Sequence, residues 1–353
     1  MPDSIVNHPD PAATSQPASR TLCLTVGDAD GIGPEILLKT LHTWGETDTD
    51  QPAMAPWGLR IYGDCQELIQ TAHRIGMDVP VVEGVTMFHV AADAQPAAAW
   101  VALDKAVADL AQGRACALVT GPIAKDKLLA AGLPYTGHTE MLETLARQYY
   151  PQATSSPWQA DMLFVYHAFR VMLLTRHIPL AEVSKQLNAE QVRAQLLSLH
   201  HFLVSQMGLV APRIAVMGAN PHAGEIGGQE EQAILRPTIE QLNATTPGTW
   251  AGEWEGPLAA DGLLRGLDVQ HPPYDAYVAC YHDQGLIPIK LLGGWEAVNV
   301  TIGLPFIRTS VSHGTAPDIV GQGVASPDSL IAAIEQAQHL ATRQQLTQLT
   351  QGG

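Results

Sequence analysis

Short apolar runs alternate with longer amphipathic stretches along most of this chain, and this alternation restricts the fold more than any other feature. Apolar runs of strand length followed by helical segments are typical of α/β proteins with a largely parallel sheet. Because 353 residues exceed the size at which one hydrophobic core keeps growing, we expect two domains. We expect a disordered leader at 1–20, a first α/β domain at 21–150 plus about 300–353, and a second at 151–299.

The apolar runs predict strands, and the amphipathic stretches predict helices. We expect strands at 21–26, 59–62, 115–120, 162–166, 171–175, 214–218, 276–281 and 298–302. We expect helices at 34–44, 97–112, 138–150, 180–187, 189–206, 229–243 and 327–348. The segment 245–256, rich in Gly, Thr and Trp, is interpreted as a loop or an edge hairpin.

Charge and cysteine content limit the partners of the chain. The formal net charge of −16 argues against nucleic acid or an anionic membrane, and an anionic substrate would need its own basic residues. No apolar stretch reaches the length of a membrane span. Cys23, Cys116 and Cys280 lie inside apolar runs and no C-x-x-C spacing occurs, which favours buried free thiols in a reducing cytoplasm.

Three histidines each follow the end of a predicted strand: His177, His222 and His282. If the strands are parallel, all three imidazoles lie at the carboxyl edge of the sheet, where open α/β sheets bind ligands. Three imidazoles without cysteine suit a catalytic divalent metal that keeps one position open for substrate. The alternative is that each histidine is structural, since a single histidine is more often structural than a ligand.

The first glycine loop, at 27–35, lies between a predicted strand and a predicted helix. Its glycines permit a tight turn and close backbone approach, and the helix start offers free amides to an anion. A dinucleotide-binding Rossmann loop is disfavoured, because Asp28, Asp30 and Glu35 would repel a pyrophosphate. A strand–helix turn and a loop facing another substrate or cofactor remain as alternatives.

A second candidate site combines the segments 120–125 and 136–140. Gly137, His138 and Thr139 open a predicted helix, so backbone amides, an imidazole and a hydroxyl would together bind phosphate. The alternative is an ordinary helix cap, made by Thr139 or Thr136 with Glu140 or Glu143 near the helix dipole.

The last cluster contains Lys290, Asn299 and Arg308. A scarce cation between apolar residues is costly to bury unless it meets an anion, and arginine binds carboxylate or phosphate at two points. The alternative is internal ion pairing with Asp283 or Glu296. Asp261 is a candidate for a further polar contact or a helix cap.

Together these segments resemble the PdxA family, the 4-hydroxythreonine-4-phosphate dehydrogenases of pyridoxal phosphate biosynthesis. The matching strings include Asn-Pro-His-Ala-Gly-Glu at 220–225 and Tyr-His-Asp-Gln-Gly at 281–285. The resemblance implies a two-domain α/β/α subunit like isocitrate and isopropylmalate dehydrogenases, not a Rossmann fold, with the active site in the domain cleft. It implies a homodimer whose second domain makes dimer contacts and whose metal site is shared across subunits.

The resemblance also implies roles for individual residues. The metal ligands would be His177, His222 and His282, the third supplied by the other subunit, with zinc preferred and magnesium, cobalt or another divalent ion as alternatives. Substrate contacts would fall on His138, Thr139, Lys290, Asn299 and Arg308, with Asp261 and Asp283 as candidates for further polar contacts. The cofactor-binding residues and the general base are not identified.

The implied reaction oxidises 4-phosphohydroxy-L-threonine with NAD or NADP and releases carbon dioxide, leaving 3-amino-2-oxopropyl phosphate. The family usually has Asp-Pro-Ala-Gly where this chain has Asp28-Ala29-Asp30-Gly31, so phosphorylated threonate or erythronate is the alternative substrate. An acyl- or phosphotransferase of related fold is a rival that needs no three-histidine metal site. A metal sensor is a weaker rival, because it gives Lys290 and Arg308 no role.

Overall fold

The structure is a computed structural model that describes residues 18–45, 57–95, 97–135, 137–151, 158–226, 228–245 and 252–351. The expected leader lies outside these ranges up to residue 17, and Ala18–Arg20 forms a single 3-10 turn. The expected α/β class is confirmed, since the described residues contain alternating strands and helices.

The strands are β1 Thr21–Thr25, β2 Gly58–Gly63, β3 Val85–His89, β4 Ala117–Thr120, β5 Asp161–Tyr166, β6 Phe169–Leu173, β7 Arg213–Met217, β8 Glu253–Leu258, β9 Ala276–Ala279, β10 Val298–Ile302 and β11 Ile307–Ser310. The helices are α1 Gly33–Gly45, α2 Cys65–Ile75, α3 Ala98–Ala111, α4 Lys125–Ala130, α5 His138–Tyr149, α6 Leu180–Gln186, α7 Ala189–Ser205, α8 Arg236–Thr245, α9 Ala260–Leu263, α10 His282–Gly293 and α11 Asp328–Gln351. A π-helical turn, Glu230–Leu235, runs directly into α8.

Two compact units divide the chain: unit 1 extends to Ala160 and resumes over Leu304–Ala341, and unit 2 covers Asp161–Gly303 and resumes at Thr342. In unit 1 the strand order is β3-β2-β1-β4-β11, and every neighbouring pair is parallel. The order reverses between β1 and β4, so the loops that follow these two strands flank the position where open α/β sheets bind ligands.

The strands of unit 2 follow the order β10-β5-β6-β9-β7-β8. The β10–β5 and β5–β6 pairs are antiparallel, whereas β6, β9, β7 and β8 run parallel to one another. The interpretation of 245–256 as a loop or edge hairpin is wrong for residues 253–256. These residues belong to Glu253–Leu258, an edge strand that runs parallel to β7. Residues 246–251 lie outside the described ranges.

Each unit has its own apolar core. In unit 1, α5 buries Met141, Leu142 and Leu145 completely, and each such side chain contributes about 1.5–3 kcal/mol relative to leaving it exposed. In unit 2, Phe169 of β6 meets Tyr277 of β9 edge to face, with ring centroids 5.1 Å apart. The central strands are buried on both faces, which explains why their sequences are continuous apolar runs.

No helix in the described ranges combines the length and the hydropathy that a bilayer crossing requires. All four cysteines are free thiols, and Cys23, Cys65 and Cys280 are buried.

Candidate active site

The carboxyl ends of three neighbouring parallel strands in unit 2 lead into the three candidate metal ligands. His177 follows β6, His282 follows β9 as the first residue of α10, and His222 follows β7 in the 3-10 turn Pro221–Gly224. Because β9 lies between β6 and β7, the three histidine-bearing turns are adjacent along one edge of the sheet. The strand ends therefore place all three histidines where α/β sheets bind ligands.

Two of the three imidazoles approach each other closely. The rings of His177 and His282 have centroids 5.3 Å apart and are inclined at 49°. Two imidazoles on one tetrahedral zinc ion, each with a Zn–N distance near 2.0 Å, have centroids about 5 Å apart, so this pair fits one shared ion. Within the described ranges no group of three or more His, Cys, Asp or Glu side chains is close enough to hold a metal ion. A single chain thus brings two of the three candidate ligands together.

A carboxylate lies behind one imidazole of this pair. Nδ1 of His282 is 2.7 Å from Oδ1 of Asp283, a residue that is itself exposed. When the ionised carboxylate accepts this hydrogen bond, the proton is on Nδ1 and the lone pair of Nε2 faces outward. Metal-binding histidines are commonly oriented by a carboxylate in this way. The donor chemistry at this edge of the sheet therefore fits a divalent transition metal.

The third imidazole lies on a loop with unusual backbone conformation. His222 and Ala223 have φ angles of 55° and 53°, in the left-handed region that is costly for residues other than glycine. The side chain of His222 is exposed. Residues held in this region cost free energy and persist only where surrounding contacts enforce them, and they concentrate at functional sites.

The other candidate residues of unit 2 occupy separate elements. Lys290 lies exposed in the last turn of α10 and forms no ion pair with Asp283 or Glu296. The alternative prediction of internal ion pairing is therefore wrong for this lysine. Asn299 lies on β10, and its Oδ1 is buried without a hydrogen-bond partner among the described residues. Asp261 is an exposed residue inside α9, whose N-cap is Ala259, so it is not the cap of this helix.

In unit 1, the glycine loop after β1 packs against the loop after β4. Gly27 has φ 88°, and a Cβ there would collide with the carbonyl of Pro122; a Cβ on Gly121 would likewise collide with that of Val26. Asp28 is buried and its carboxylate accepts a hydrogen bond from the amide of Ala124, joining the two loops. Burial raises the pKa of Asp28 despite this bond. This loop is thus a tight strand–helix turn.

The remaining acidic residues of the first loop are also paired inside unit 1. The buried carboxylate of Glu35 accepts hydrogen bonds from Lys39, at 2.9 Å, and from the amide of Ala325, at 2.8 Å. Asp30 forms an ion pair with Lys127. These contacts give the carboxylates structural roles, which favours the strand–helix turn over a ligand-facing loop for this segment.

The second candidate site of unit 1 is at the start of α5. Gly137 occupies the N-cap without a side-chain cap, so the alternative in which Thr139 caps the helix is wrong. His138 and Thr139 are the first two helical residues and are partly buried. Their position at the helix N-terminus is favourable for an anion, because the first amides of a helix have no partner within it.

A buried cation accompanies His138. Arg308, on β11, is only 3% exposed and donates a hydrogen bond of 2.6 Å to Oγ1 of Thr120, at the end of β4. Burial lowers the pKa of Arg308 to about 9. Burial and the charge of Arg308 together lower the pKa of His138 well below its usual value, so this imidazole is neutral near pH 7. A neutral imidazole beside a buried guanidinium is a suitable receptor for an anionic group.

Two residues of these sites were missed by the sequence analysis, whereas Thr120 lies in the candidate segment 120–125. Gln284 lies within the Tyr-His-Asp-Gln-Gly string, which is a detectable signal. Glu231, which is fully buried behind the His222 loop, lies in an ordinary helical pattern that gives no such indication.

Comparison with known proteins gives consistent matches over most of the chain. Residues 43–337 match the family model described as pyridoxal phosphate biosynthetic protein PdxA. A 4-hydroxythreonine-4-phosphate dehydrogenase of Methylorubrum populi is 39% identical over 350 residues, covering 92% of this chain and 95% of the relative. One from Synechococcus is 41% identical, covering 91% and 94%. The crystal structure of the Klebsiella pneumoniae enzyme of that name superimposes with a TM-score of 0.75 at 32% identity, covering 93% of this chain and 99% of that one.

Proposed function

The chain belongs to the PdxA family of pyridoxal phosphate biosynthetic proteins, and from this premise we propose that it oxidises and decarboxylates 4-phosphohydroxy-L-threonine. The oxidant would be NAD or NADP, and the product 3-amino-2-oxopropyl phosphate. The proposed chemistry rests on one observation: the ring centroids of His177 and His282 are 5.3 Å apart, and Asp283 orients the imidazole of His282. Such a pair suits a metal-assisted alcohol dehydrogenation.

We assign the metal to His177, His222 and His282, with Asp283 fixing the tautomer of His282. When bound, a divalent ion such as zinc supplies Lewis-acid polarisation of the alcohol and then of the ketone oxygen. Imidazole nitrogens favour zinc, cobalt or another transition ion over magnesium, which prefers oxygen ligands. Two ligands come together within one chain, and the set would be completed when two copies associate.

The phosphate would be bound in unit 1 by Arg308, His138 and Thr139. The buried guanidinium supplies the charge and the neutral imidazole supplies a hydrogen bond, while the start of α5 supplies backbone amides. Thr120 holds Arg308 in place through their 2.6 Å hydrogen bond. A buried guanidinium attracts an anion more strongly than a solvated surface cation does, because the surrounding dielectric constant is lower.

The other end of the substrate carries a carboxylate and an amine. Lys290, with its charge exposed and not paired to Asp283 or Glu296, would bind the carboxylate. Asn299 has a buried amide oxygen ready to accept a hydrogen bond, and Asp261 offers a carboxylate to an ammonium group.

The reaction transfers a hydride from the alcohol carbon to the nicotinamide ring, while the hydroxyl proton leaves to a base. The ketone formed is β to the carboxylate, so the carbon–carbon bond to that carboxylate breaks and carbon dioxide departs. The electron pair from that bond is held as an enolate until the carbon takes up a proton. Preorganised positive charge near the enolate oxygen is the main requirement for this step.

We further propose a homodimer that functions in the cytoplasm. An apolar stripe is exposed on α10 and the turn after it, formed by Ile287, Leu291 and Trp295, which are 63%, 82% and 60% exposed. Ile287 and Leu291 are four residues apart in α10 and therefore lie on one side of that helix, and Trp295 follows in the 3-10 turn Gly294–Glu296. A second copy covering this stripe would adjoin the metal ligands. The free thiols of all four cysteines are consistent with a reducing compartment.

The proposed function is tested by reduced-nicotinamide formation with 4-phosphohydroxy-L-threonine, before and after chelation and again after zinc is restored. We expect turnover that chelation abolishes and zinc recovers. His222→Ala should reduce turnover by a thousandfold or more with an unchanged circular dichroism spectrum. His271→Ala, which removes an exposed histidine of the same unit, is the matched control and should leave the rate unchanged.

Other results would redirect the assignment. Near-normal activity of His222→Ala, or turnover that resists thorough chelation, would remove the metal from the mechanism. If the metal-loaded protein is inactive on this substrate but oxidises phosphorylated threonate or erythronate, the alternative substrate would replace it.

A further inference from the structure

Hydrogen bonds behind the three histidines connect the turns on which they lie. Thr175, two residues before His177, donates from its backbone amide at 3.2 Å and from Oγ1 at 2.7 Å to the carbonyl of Cys280. Cys280 itself is two residues before His282. The β6 turn and the β9 turn are thus joined at one carbonyl, and this junction lies directly behind the pair of imidazoles at 5.3 Å.

A single side chain extends this connection to the third turn. Oε1 of Gln284 accepts a hydrogen bond of 2.7 Å from the amide of Cys280, and its Nε2 donates one of 2.7 Å to the carbonyl of Gly218. Gly218 is the residue that follows β7 and begins the loop carrying His222. Gln284 therefore bridges the end of β9 to the end of β7 with both atoms of its amide.

The far side of the His222 loop is closed around a buried carboxylate. Glu231 is 0% exposed and accepts hydrogen bonds from the backbone amide of Asn220, at 2.7 Å, and from its Nδ2, at 3.0 Å. A Cβ on Gly224 would lie 2.9 Å from Glu231, and one on Gly228 would collide with its carboxylate, so the loop can wrap this closely only with glycine there. These contacts hold His222 and Ala223 in their left-handed conformation.

We propose that Gln284 is a positioning residue for the metal site, fixing the loop that carries His222 at the edge of the sheet. The inference rests on the proposed metal-dependent function. Gln284 contributes no ligand, and it acts through backbone groups of the two turns. The loop is restrained at two points. Gln284 donates a hydrogen bond to the carbonyl of Gly218 at the start of the loop, and Glu231 accepts one from the amide of Asn220.

Metal affinity is sensitive to such restraints. Groups that orient metal ligands without binding the ion typically change the affinity about 10- to 100-fold when they are removed. A displaced His222 also changes the coordination geometry, which the absorption spectrum of a bound Co²⁺ ion reports directly. A residue that supports only the fold would lower stability and leave this spectrum unchanged.

The test uses the full-length Gln284→Met variant, which keeps the side-chain length and loses both hydrogen bonds. Zn²⁺ affinity is measured by competition with a chromophoric chelator, and the visible spectrum is recorded with Co²⁺ bound. We expect Zn²⁺ to bind about 10-fold more weakly than in the unmodified protein, with an altered Co²⁺ spectrum. Asn243→Leu is the matched control, because Asn243 also bridges two backbone groups with its amide, at the nitrogen and carbonyl of Trp254 on β8.

The outcomes separate this inference from the function on which it rests. If the unmodified protein binds Zn²⁺ and Gln284→Met binds it equally, with the same Co²⁺ spectrum, the positioning role is overturned and the metal site stands. If the unmodified protein binds no Zn²⁺, both fall together. Should Gln284→Met fail to fold, Gln284→Glu keeps an acceptor for the Cys280 amide and loses the donor to the Gly218 carbonyl; a several-fold loss of affinity then supports the inference, and no loss overturns it.

Discussion

At the scale of single residues, the chemistry of unit 1 depends on a buried cation beside a neutral imidazole. Arg308 is almost fully buried on β11, a placement that is costly unless polar groups or an anion stabilise the charge. Thr120 supplies one such group. His138 stays neutral because burial and the positive charge of Arg308 both disfavour its protonation. A bound phosphate would reduce the cost of the buried charge, which gives the site its preference for anions.

This coupling predicts the effect of Arg308→Met on the titration of His138. Removing the positive charge removes one of the two causes that lower the pKa, so the pKa of His138 should rise toward its usual value while burial still holds it down. Histidine NMR of the labelled protein, with the signal assigned by His138→Gln, measures the shift. Arg20→Met is the control, because Arg20 is exposed in the same unit. An unchanged pKa in Arg308→Met would contradict the coupling.

At the scale of secondary-structure elements, a buried ionic network joins β2 to α3. The carboxylate of Asp109, on α3, accepts hydrogen bonds from Arg60 and Tyr62 of β2 and from Arg114 at 3.0 Å. The Arg60 guanidinium also lies 4.5 Å from the ring centroid of Phe88 on β3. Burial works to raise the pKa of Asp109, but these hydrogen bonds and the Arg60 charge outweigh it, so the pKa is lowered.

Asp109→Asn should destabilise unit 1, because it leaves the Arg60 charge buried without its carboxylate. Breaking a buried ion pair on one side costs about 3–5 kcal/mol, which urea unfolding at pH 7 would measure. Because the folded-state pKa of Asp109 is lowered, its stabilisation is present above the unfolded pKa and is lost as the pH falls through the folded value. The difference between the two proteins should therefore shrink in strong acid. Asp93→Asn, an exposed change of the same kind, should have little effect.

The elements that the sequence predicted well are those buried on both faces. Strands such as β1 and β9 are short apolar runs, and the structure confirmed them within a residue or two. Three strands were missed: β3, with partly exposed positions; β8, which contains Glu and Pro at the sheet edge; and β11, which carries Arg308. None of these three strands is a continuous apolar run. In β11, a distant residue, Thr120, provides the hydrogen bond that makes the buried Arg308 compatible with a strand.

At the scale of the whole molecule, the exposed stripe of Ile287, Leu291 and Trp295 predicts the effect of a charge on association. Leu291→Glu places a carboxylate in the centre of the proposed dimer surface, where burying it without a partner is unfavourable. Sedimentation velocity over a range of concentrations should show a dimer dissociation constant at least about 10-fold higher than that of the unmodified protein. Val210→Glu is the control, since Val210 is 84% exposed and lies outside the stripe. An undisturbed dimer in Leu291→Glu would exclude this surface.

The sequence by itself determined the α/β class, the strands that precede the three histidines and the family to which the chain belongs. Local periodicity and short motifs carry that information, because they depend on residues close together in the chain. Only the tertiary structure decided that β9 lies between β6 and β7, that His177 and His282 approach to 5.3 Å, and that Gln284 bridges Cys280 to Gly218. These relations join residues up to 105 positions apart, and their distances follow from strand order and packing, which no local pattern specifies.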